Sequence, residues 1–116
     1  MPGGAGLVLS VRGEPRFLPA LLVHSVQACP RLSAVPGSPL GMAWVAGKVI
    51  PVARIGDTGS HLVVCLAAGE VVGLAGVEVE KTGFFEPSGD GVSCDGRTVK
   101  PLDVARELER AASEDA

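Results

Sequence analysis

The sequence predicts a mainly β protein, in which short strands form a closed or nearly closed small barrel and one helix follows at the C-terminus. Three observations lead to this fold class. The chain contains 16 glycines and 9 prolines, which divide it into short apolar segments. Several segments alternate apolar and polar residues, which is the period of a half-buried strand. From Leu102 onward, apolar residues recur at helical spacing.

The first predicted element is a hairpin that follows a flexible tail of residues 1–5. Leu7, Leu9 and Val11 alternate with the residues between them, as in a strand with one face in the core. The segment RGEP supplies the turn, because its glycine tolerates unusual backbone dihedrals. The second strand runs through Phe17 and ends two residues later at a proline.

The middle of the chain is predicted as strands joined by tight corners. Residues 20–32 fit a helical turn at their beginning and a strand afterwards, so both interpretations stay open for them. Pro36 and Gly37 form a corner, and two strands follow on either side of Gly47. This apolar stretch is interrupted by charges such as Lys48, so it cannot supply the roughly 20 apolar residues of a membrane-spanning helix.

The C-terminal half is predicted as two hairpins and a helix. Residues 61–85 suit a hairpin, and Asp95 with Gly96 favours a type I′ turn because both residues tolerate positive φ. Asp103 is suited to cap the helix. The expected apolar face of the helix consists of Leu102, Ala105, Leu108 and Ala112. A flexible end is predicted at residues 113–116.

Length and composition favour one globular domain, predicted at residues 6–112. The net charge is −3 and no basic cluster is present, so nucleic acid is not an expected partner. Aromatic residues make up only 3% of the chain, which argues against an aromatic-lined site for sugars or nucleobases. The three cysteines lack C-x-x-C spacing and indicate reduced thiols in a cytoplasmic protein. We expect no direct membrane insertion.

No motif in the sequence predicts a catalytic or metal site. His24 and Ser25 are neighbours, so on a strand they point to opposite faces instead of forming a dyad. Glu78 and Glu80 share a strand face and are interpreted as solvated, not as a glycosidase pair. The histidines and cysteines lack the spacing of metal ligands. We therefore expect no enzyme activity, no cofactor and no metal, and a role in binding or as a scaffold.

Several short motifs, in order along nearly the whole chain from about Gly6, resemble the CheW-like domain of bacterial chemotaxis coupling proteins. They are F-L-P at 17–19, P-G-S-P at 36–39, P-V at 51–52, D-G at 95–96 and L-D at 102–103. The resemblance implies two small intertwined five-stranded β-barrels of the SH3-like kind with a short C-terminal helix. It also implies a non-enzymatic adaptor that links the cytoplasmic tip of a methyl-accepting chemoreceptor to a CheA-type histidine kinase within chemoreceptor clusters.

The chain departs from the family pattern at positions that bear on its partners. Where the family carries N-L-R-G, this sequence has W-V-A-G, so Ala46 replaces an arginine that serves receptor and kinase contacts in the family. Arg54 replaces an acidic residue, and Ala28 stands where a glutamate is usual. Because the loss of an interface arginine can cost much binding free energy, we predict a weakened kinase-coupling arm.

The resemblance also indicates which residues contact partners and which shape corners. The candidate partner-binding residues are Val26 and Gln27 on one side of a groove, and Val45, Ala46, Lys48 and Arg54 on the other. The candidate structural corners are Pro36, Gly37, Gly47, Asp95 and Gly96. Trp44 is interpreted as a core side chain if its strand partner is buried, and otherwise as an interface anchor.

Two other classes of function stay open. One is a small β-barrel that binds a metabolite or regulates an enzyme outside chemotaxis; it would enclose a deep pocket with a few convergent polar groups instead of an elongated apolar strip. The other is a thiol or hydrolytic enzyme, for which Cys94 beside a turn is the candidate nucleophile. Cys65, within an apolar strand, is expected in the core with a raised pKa.

Overall fold

The computed structural model describes residues 3–34 and 40–113 and is mainly β, as the sequence predicts. The strands are β1 Gly4–Val11, β2 Glu14–Pro19, β3 Val23–Ala28, β4 Ser33–Ala34, β5 Gly41–Val45, β6 Lys48–Arg54, β7 His61–Ala67, β8 Glu70–Phe85, β9 Pro87–Ser88, β10 Gly91–Cys94 and β11 Arg97–Val99. Helix α1 spans Val104–Ser113. A 3₁₀ turn at Ala20–Leu22 precedes β3, so residues 20–32 contain both a helical turn and a strand.

The main sheet is organised by β8, a strand of 16 residues that pairs with three others. Its first half pairs with β7 in the predicted hairpin and with β6 in parallel, and its second half pairs with β1. The strand order is β2-β1-β8-β6-β5-β4, with β7 also on β8 and β3 on β7. Strands β9 to β11 form a separate small sheet. Gly4 and Ala5 pair with Phe85 and Phe84, so β1 begins inside the segment that was predicted as a flexible tail.

The two five-stranded barrels implied by the family resemblance are not confirmed. Within the described residues, backbone pairing closes neither sheet on itself, because β3 pairs with β7 alone and β4 with β5 alone. The predicted corner at Pro36 and Gly37, between β4 and β5, lies outside the described residues. The coarser prediction of a mainly β fold with a short C-terminal helix is confirmed.

The described residues form three apolar core clusters. The largest lies between the main sheet and α1 and includes Leu9 and Leu74. The second lies beneath the β5–β6 hairpin and includes Ile50. In the third, the rings of Phe17 and Phe85 meet edge to face with centroids 5.7 Å apart, an arrangement that stabilises aromatic pairs beyond their burial. Strand β1 is apolar on both faces because it separates the first cluster from the third.

Helix α1 begins after the predicted cap. The Asp103 side chain accepts a hydrogen bond of 3.1 Å from the Arg106 backbone N–H, which satisfies one free donor of the first turn. The predicted apolar face is wrong at Ala105, which is exposed. Val104 and Ala111 are buried in the first cluster, and Leu108 packs against them. Because the helix begins at Val104, the residues at i, i+4 and i+7 from it, Val104, Leu108 and Ala111, form its buried face.

In residues 3–34 and 40–113, four hairpins turn through a two-residue X-Gly pair. The first residues are Arg12, Ala46, Ala68 and Asp95, with φ of 50–53°, and the following glycines Gly13, Gly47, Gly69 and Gly96 have φ of 78–81°. Positive φ at both positions is the type I′ geometry that matches the twist of the strands. The predicted corner residues Gly47, Asp95 and Gly96 occupy such turns. Aspartate is the best suited of the three residue types at the first position, because left-handed backbone favours Asn and Asp over alanine and arginine.

The Ala46→Asn variant is expected to raise the free energy of unfolding by about 1 kcal/mol, because asparagine relieves the left-handed strain of alanine. Urea unfolding monitored by circular dichroism measures the difference. Ala5→Asn is the matched control, since Ala5 is exposed on β1 and is not among the residues with positive φ. Equal effects of the two substitutions would contradict the assignment of strain to the turn.

Candidate functional site

The outer face of the β5–β6 hairpin is apolar and exposed. Met42 and Trp44 on β5 lie opposite Pro51 and Val49 on β6. Trp44 is 68% exposed, Val49 is 51% exposed and Met42 is 37% exposed. We call these four residues the hairpin face. Contiguous exposed apolar surface of this kind marks a site of interaction on a folded protein.

The hairpin face is unusual because the opposite face of the same strands is apolar as well. Ala43, Ile50 and Val52 point away from it and are buried in the second cluster. A sheet with one side in water normally places polar residues on that side, and this hairpin does not. The sequence analysis did not include Met42 and Val49 among the candidate partner-binding residues. The sequence did contain a signal for them, because this hairpin has apolar residues at both odd and even positions.

Trp44 does not fill the core. The sequence predicted Trp44 as a core side chain only if its strand partner is buried. That partner is Val49, which is exposed. The interpretation of Trp44 as an interface anchor stays a prediction. Tryptophan is enriched among residues that dominate binding free energy, because it buries a large rigid area at small entropic cost.

The predicted partner-binding residues fall in separate places. Val45, Ala46 and Lys48 surround the turn at the tip of the β5–β6 hairpin, next to Trp44. Val45 also packs partly against the second cluster. Arg54 is at the other end of β6. In an extended strand it lies about 20 Å from Lys48, so Arg54 does not join the hairpin tip.

Val26 and Gln27 lie on β3, which β7 and β8 separate from β6. The register runs from Gln27 through Leu62 and Ala75 to Arg54. Gln27 and Arg54 stand at the two ends of that row. Three strand spacings of roughly 4.8 Å each separate them, which makes a distance of about 14 Å. Val26 is 38% exposed and Gln27 is half-buried. β3 therefore offers a second exposed segment, apart from the hairpin face.

Two acidic side chains serve structural roles. Glu78 accepts hydrogen bonds of 2.6 Å from both the backbone N–H and the hydroxyl of Ser60, and these bonds lower the pKa of Glu78. His61 Nδ1 accepts the backbone N–H of Val79 at 3.2 Å and lies 3.3 Å from a carboxylate oxygen of Glu78. Glu78 thereby fixes the loop before β7 to β8.

The second acidic group is at a predicted corner. Lys81 Nζ donates to Asp95 Oδ1 at 2.6 Å, which ties the β10–β11 turn to β8. This hydrogen bond lowers the pKa of Asp95 and raises the pKa of Lys81. Both groups are exposed, so the pair orients the turn more than it stabilises the fold.

The thiols differ in accessibility. Cys65 is buried, and desolvation raises the pKa of its thiol to about 11, as the sequence predicted. Cys94 is half-buried, with its Sγ 3.9 Å from Asp95 Oδ2. Cys29 is half-buried as well. Of the three thiols, Cys65 alone is buried, so Cys29 and Cys94 are the accessible ones.

Iodoacetamide at mildly alkaline pH is expected to modify the half-buried Cys94 well before Cys65 in the folded protein, because Cys65 is buried and burial raises the pKa of its thiol. Peptide mass spectrometry after timed quenching measures both rates. The same reaction in denaturant, where both thiols react alike, is the control. Equal native rates would contradict the burial of Cys65, and unusually fast reaction of Cys94 near neutral pH would revive the enzyme alternative.

The described part of the chain has neither a group of metal-ligating side chains nor a helix that could span a membrane. Among residues 3–34 and 40–113, no three His, Cys, Asp or Glu side chains are grouped so that they could hold a metal ion. The one described helix of ten residues is too short to cross a bilayer, and no other candidate span occurs in these ranges.

Comparison with known proteins gives a match in structure. No protein-family model and no curated protein matches the sequence. The fold is similar to the crystal structure of the scaffolding protein TtCheW from Thermoanaerobacter tengcongensis, with a TM-score of 0.64 and 19% sequence identity. The similarity covers 85% of this chain and 87% of that one. At this identity the comparison establishes a CheW-like fold.

Proposed function

We propose that this protein, on its CheW-like fold, is a non-enzymatic adaptor that links a methyl-accepting chemoreceptor to a CheA-type histidine kinase. The observation that carries the proposal is the hairpin face, an exposed apolar strip around Trp44. An adaptor needs such a surface, whereas an enzyme needs a cluster of reactive groups. The adaptor would work in the cytoplasm, recruited to receptor clusters.

The hairpin face is assigned to the kinase. The regulatory domain of a CheA-type kinase is itself CheW-like in the family that the sequence resembles, so two related apolar hairpins can pack against each other. Trp44 would provide the central contact, with Met42 and Val49 beside it. Lys48 at the tip is exposed and suited to the polar rim of such an interface.

The receptor is assigned to β3. Val26 and Gln27 are accessible there, and β3 pairs on one side with β7. A helical receptor tip lying along this strand would leave the hairpin face free for the kinase. The separation of the two segments lets one adaptor hold both partners at once, which is the requirement for coupling.

Ala46 is the reason to expect a weak kinase arm. It is exposed at the hairpin tip, beside the hairpin face. An arginine there would add a charged, hydrogen-bonding group at the rim, and alanine provides neither. The adaptor is therefore expected to bind the receptor more strongly than the kinase.

Binding to two immobilised fragments tests the proposal: a receptor cytoplasmic fragment and a CheA-type regulatory fragment from the same organism. The wild-type protein and Ala46→Arg are compared on both. Receptor binding by both proteins, with kinase binding increased by the arginine, would support a receptor-biased adaptor. If neither protein binds either fragment, the chemotaxis proposal is contradicted, and a metabolite-binding or regulatory module becomes the better assignment.

A further inference from the structure

A cavity of about 250 Å³ lies where the β1–β2 turn, the loop after β6 and helix α1 meet. Three arginines line it: Arg12 in the β1–β2 turn, Arg54 at the end of β6 and Arg110 on α1. The acidic residues in its wall are Asp57 and Glu107. Three cationic and two anionic side chains leave the cavity with one net positive charge, although the chain as a whole carries −3.

The ion pairs inside the cavity are unevenly distributed. Arg12 donates to both carboxylate oxygens of Glu107 at 3.1 Å and also to the carbonyl oxygen of Ile55. Glu107 is only 12% exposed and lies 3.9 Å from Arg110. Glu107 therefore pairs closely with Arg12 and only weakly with Arg110.

The Arg54 side chain has no such partner. Among the described residues, its guanidinium makes no hydrogen bond and no ion pair, although Asp57 lines the same cavity. An arginine has five donors in a rigid fork, so Arg54 brings unused donors to a cavity that already has excess positive charge. Arg12, held at both Glu107 and Ile55, gives this wall a fixed shape.

We propose that this cavity binds a small oxyanion, carrying phosphate or carboxylate groups, between Arg54 and Arg110. Guanidinium groups bind such oxygens through paired, charge-assisted hydrogen bonds. Its volume corresponds to roughly eight waters at about 30 Å³ each, which suits a small anion and not a nucleotide. The cavity is at the end of β6 remote from the hairpin tip, so the inference is independent of the adaptor proposal.

The test is a titration of the ¹⁵N-labelled full chain with inorganic phosphate and, separately, with succinate, at constant ionic strength. The backbone amide of Gly56 and the side-chain Nε–H signals of Arg54 and Arg110 report on the cavity. Saturable shifts are expected at about 20 mM anion or below. The anion that saturates first identifies the phosphate or the carboxylate class.

Matched variants separate binding from general charge effects. Arg54→Gln is expected to weaken binding about tenfold, whereas Arg106→Gln, on the exposed part of the same helix as Arg110, is expected to leave it unchanged. Asp57→Asn should tighten binding about threefold by removing a negative charge from the wall. Shifts that do not saturate, or equal weakening by Arg54→Gln and Arg106→Gln, would overturn the proposal.

The two proposals fail separately. Arg110→Gln is expected to weaken anion binding and to bind both fragments of the adaptor test like the wild type, because Arg110 is on α1, outside the hairpin face and β3, and is not among the candidate partner-binding residues. Loss of anion binding with intact partner binding leaves the adaptor in place. A melting temperature equal to that of the wild type confirms that each variant is folded.

Discussion

Replacing Gly76 with alanine is expected to lower the free energy of unfolding by about 4 kcal/mol, the largest loss we expect from any single methyl group in this protein. Gly76 has a φ of +82°, where an L side chain is strained. A Cβ at this position would also overlap the carbonyl oxygen of Gly56, a backbone atom that cannot rotate away. Both costs act together, and each amounts to roughly 1–3 kcal/mol.

The close approach at Gly76 holds the loop after β6 in place. Ile55 N–H donates to the Ala75 carbonyl at 3.0 Å, and Gly59 N–H donates to the Gly76 carbonyl at 3.1 Å. Gly76 is also the extra residue of a β-bulge, because His61 pairs with Val77 while Leu62 pairs with Ala75. An alanine would push the loop from the sheet and disturb the wall of the arginine-lined cavity.

Gly69→Ala separates the two causes. Gly69 has a φ of +81°, almost that of Gly76, but a Cβ there would meet no atom within 4 Å. This control should therefore lose only the strain of left-handed alanine, about 1–2 kcal/mol. Urea unfolding of both variants measures the difference. Equal losses would show that backbone strain alone accounts for the effect and that the loop can move aside.

The hairpins were the part of the fold most accessible from the sequence. Asp95-Gly96 and the glycine turns before β6 and β8 carry their own geometry, because the residues that adopt positive φ are in the turn itself. Asp103 likewise caps a helix through a contact three residues away. Local features of this kind need no knowledge of the rest of the chain.

Features that depend on distant parts of the chain were not predictable. The role of Gly76 depends on a loop that approaches from 20 residues earlier in the sequence, and Gly56 gives no local sign of it. Arg12, Arg54 and Arg110 converge only because the helix packs beside two turns. The barrel closure implied by the family resemblance depends on which strand edges pair, and these edges are distant in the sequence. The predicted corner at Pro36 and Gly37 lies outside the described residues.

The exposure of Trp44 was undecided in the sequence for a related reason. A hairpin with apolar residues on both faces is compatible with burial of both, and only the packing of β5 and β6 shows which face the core covers. The core takes Ala43 and Ile50, so Trp44 and Val49 face outward. An exposed tryptophan contributes little to folding and is therefore available for a partner.

The Trp44→Lys variant is expected to weaken binding to the CheA-type regulatory fragment about 30-fold or more, which corresponds to roughly 2 kcal/mol, the loss that defines an interface hot spot. Its free energy of unfolding should stay within about 0.5 kcal/mol of the wild type, because the side chain is 68% exposed. Since the wild-type kinase arm is expected to be weak, calorimetry or biosensor titration is best made in the Ala46→Arg background.

Phe84→Lys is the matched control, since Phe84 is an aromatic side chain 80% exposed on β8, away from the hairpin. Both substitutions add one positive charge and remove one exposed ring. If only Trp44→Lys weakens kinase binding, the hairpin face is the docking surface, and receptor binding through β3 should be unchanged. If both weaken it equally, charge or general apolar exposure governs the interaction. If neither does, the kinase docks elsewhere, and the apolar hairpin requires a different occupant.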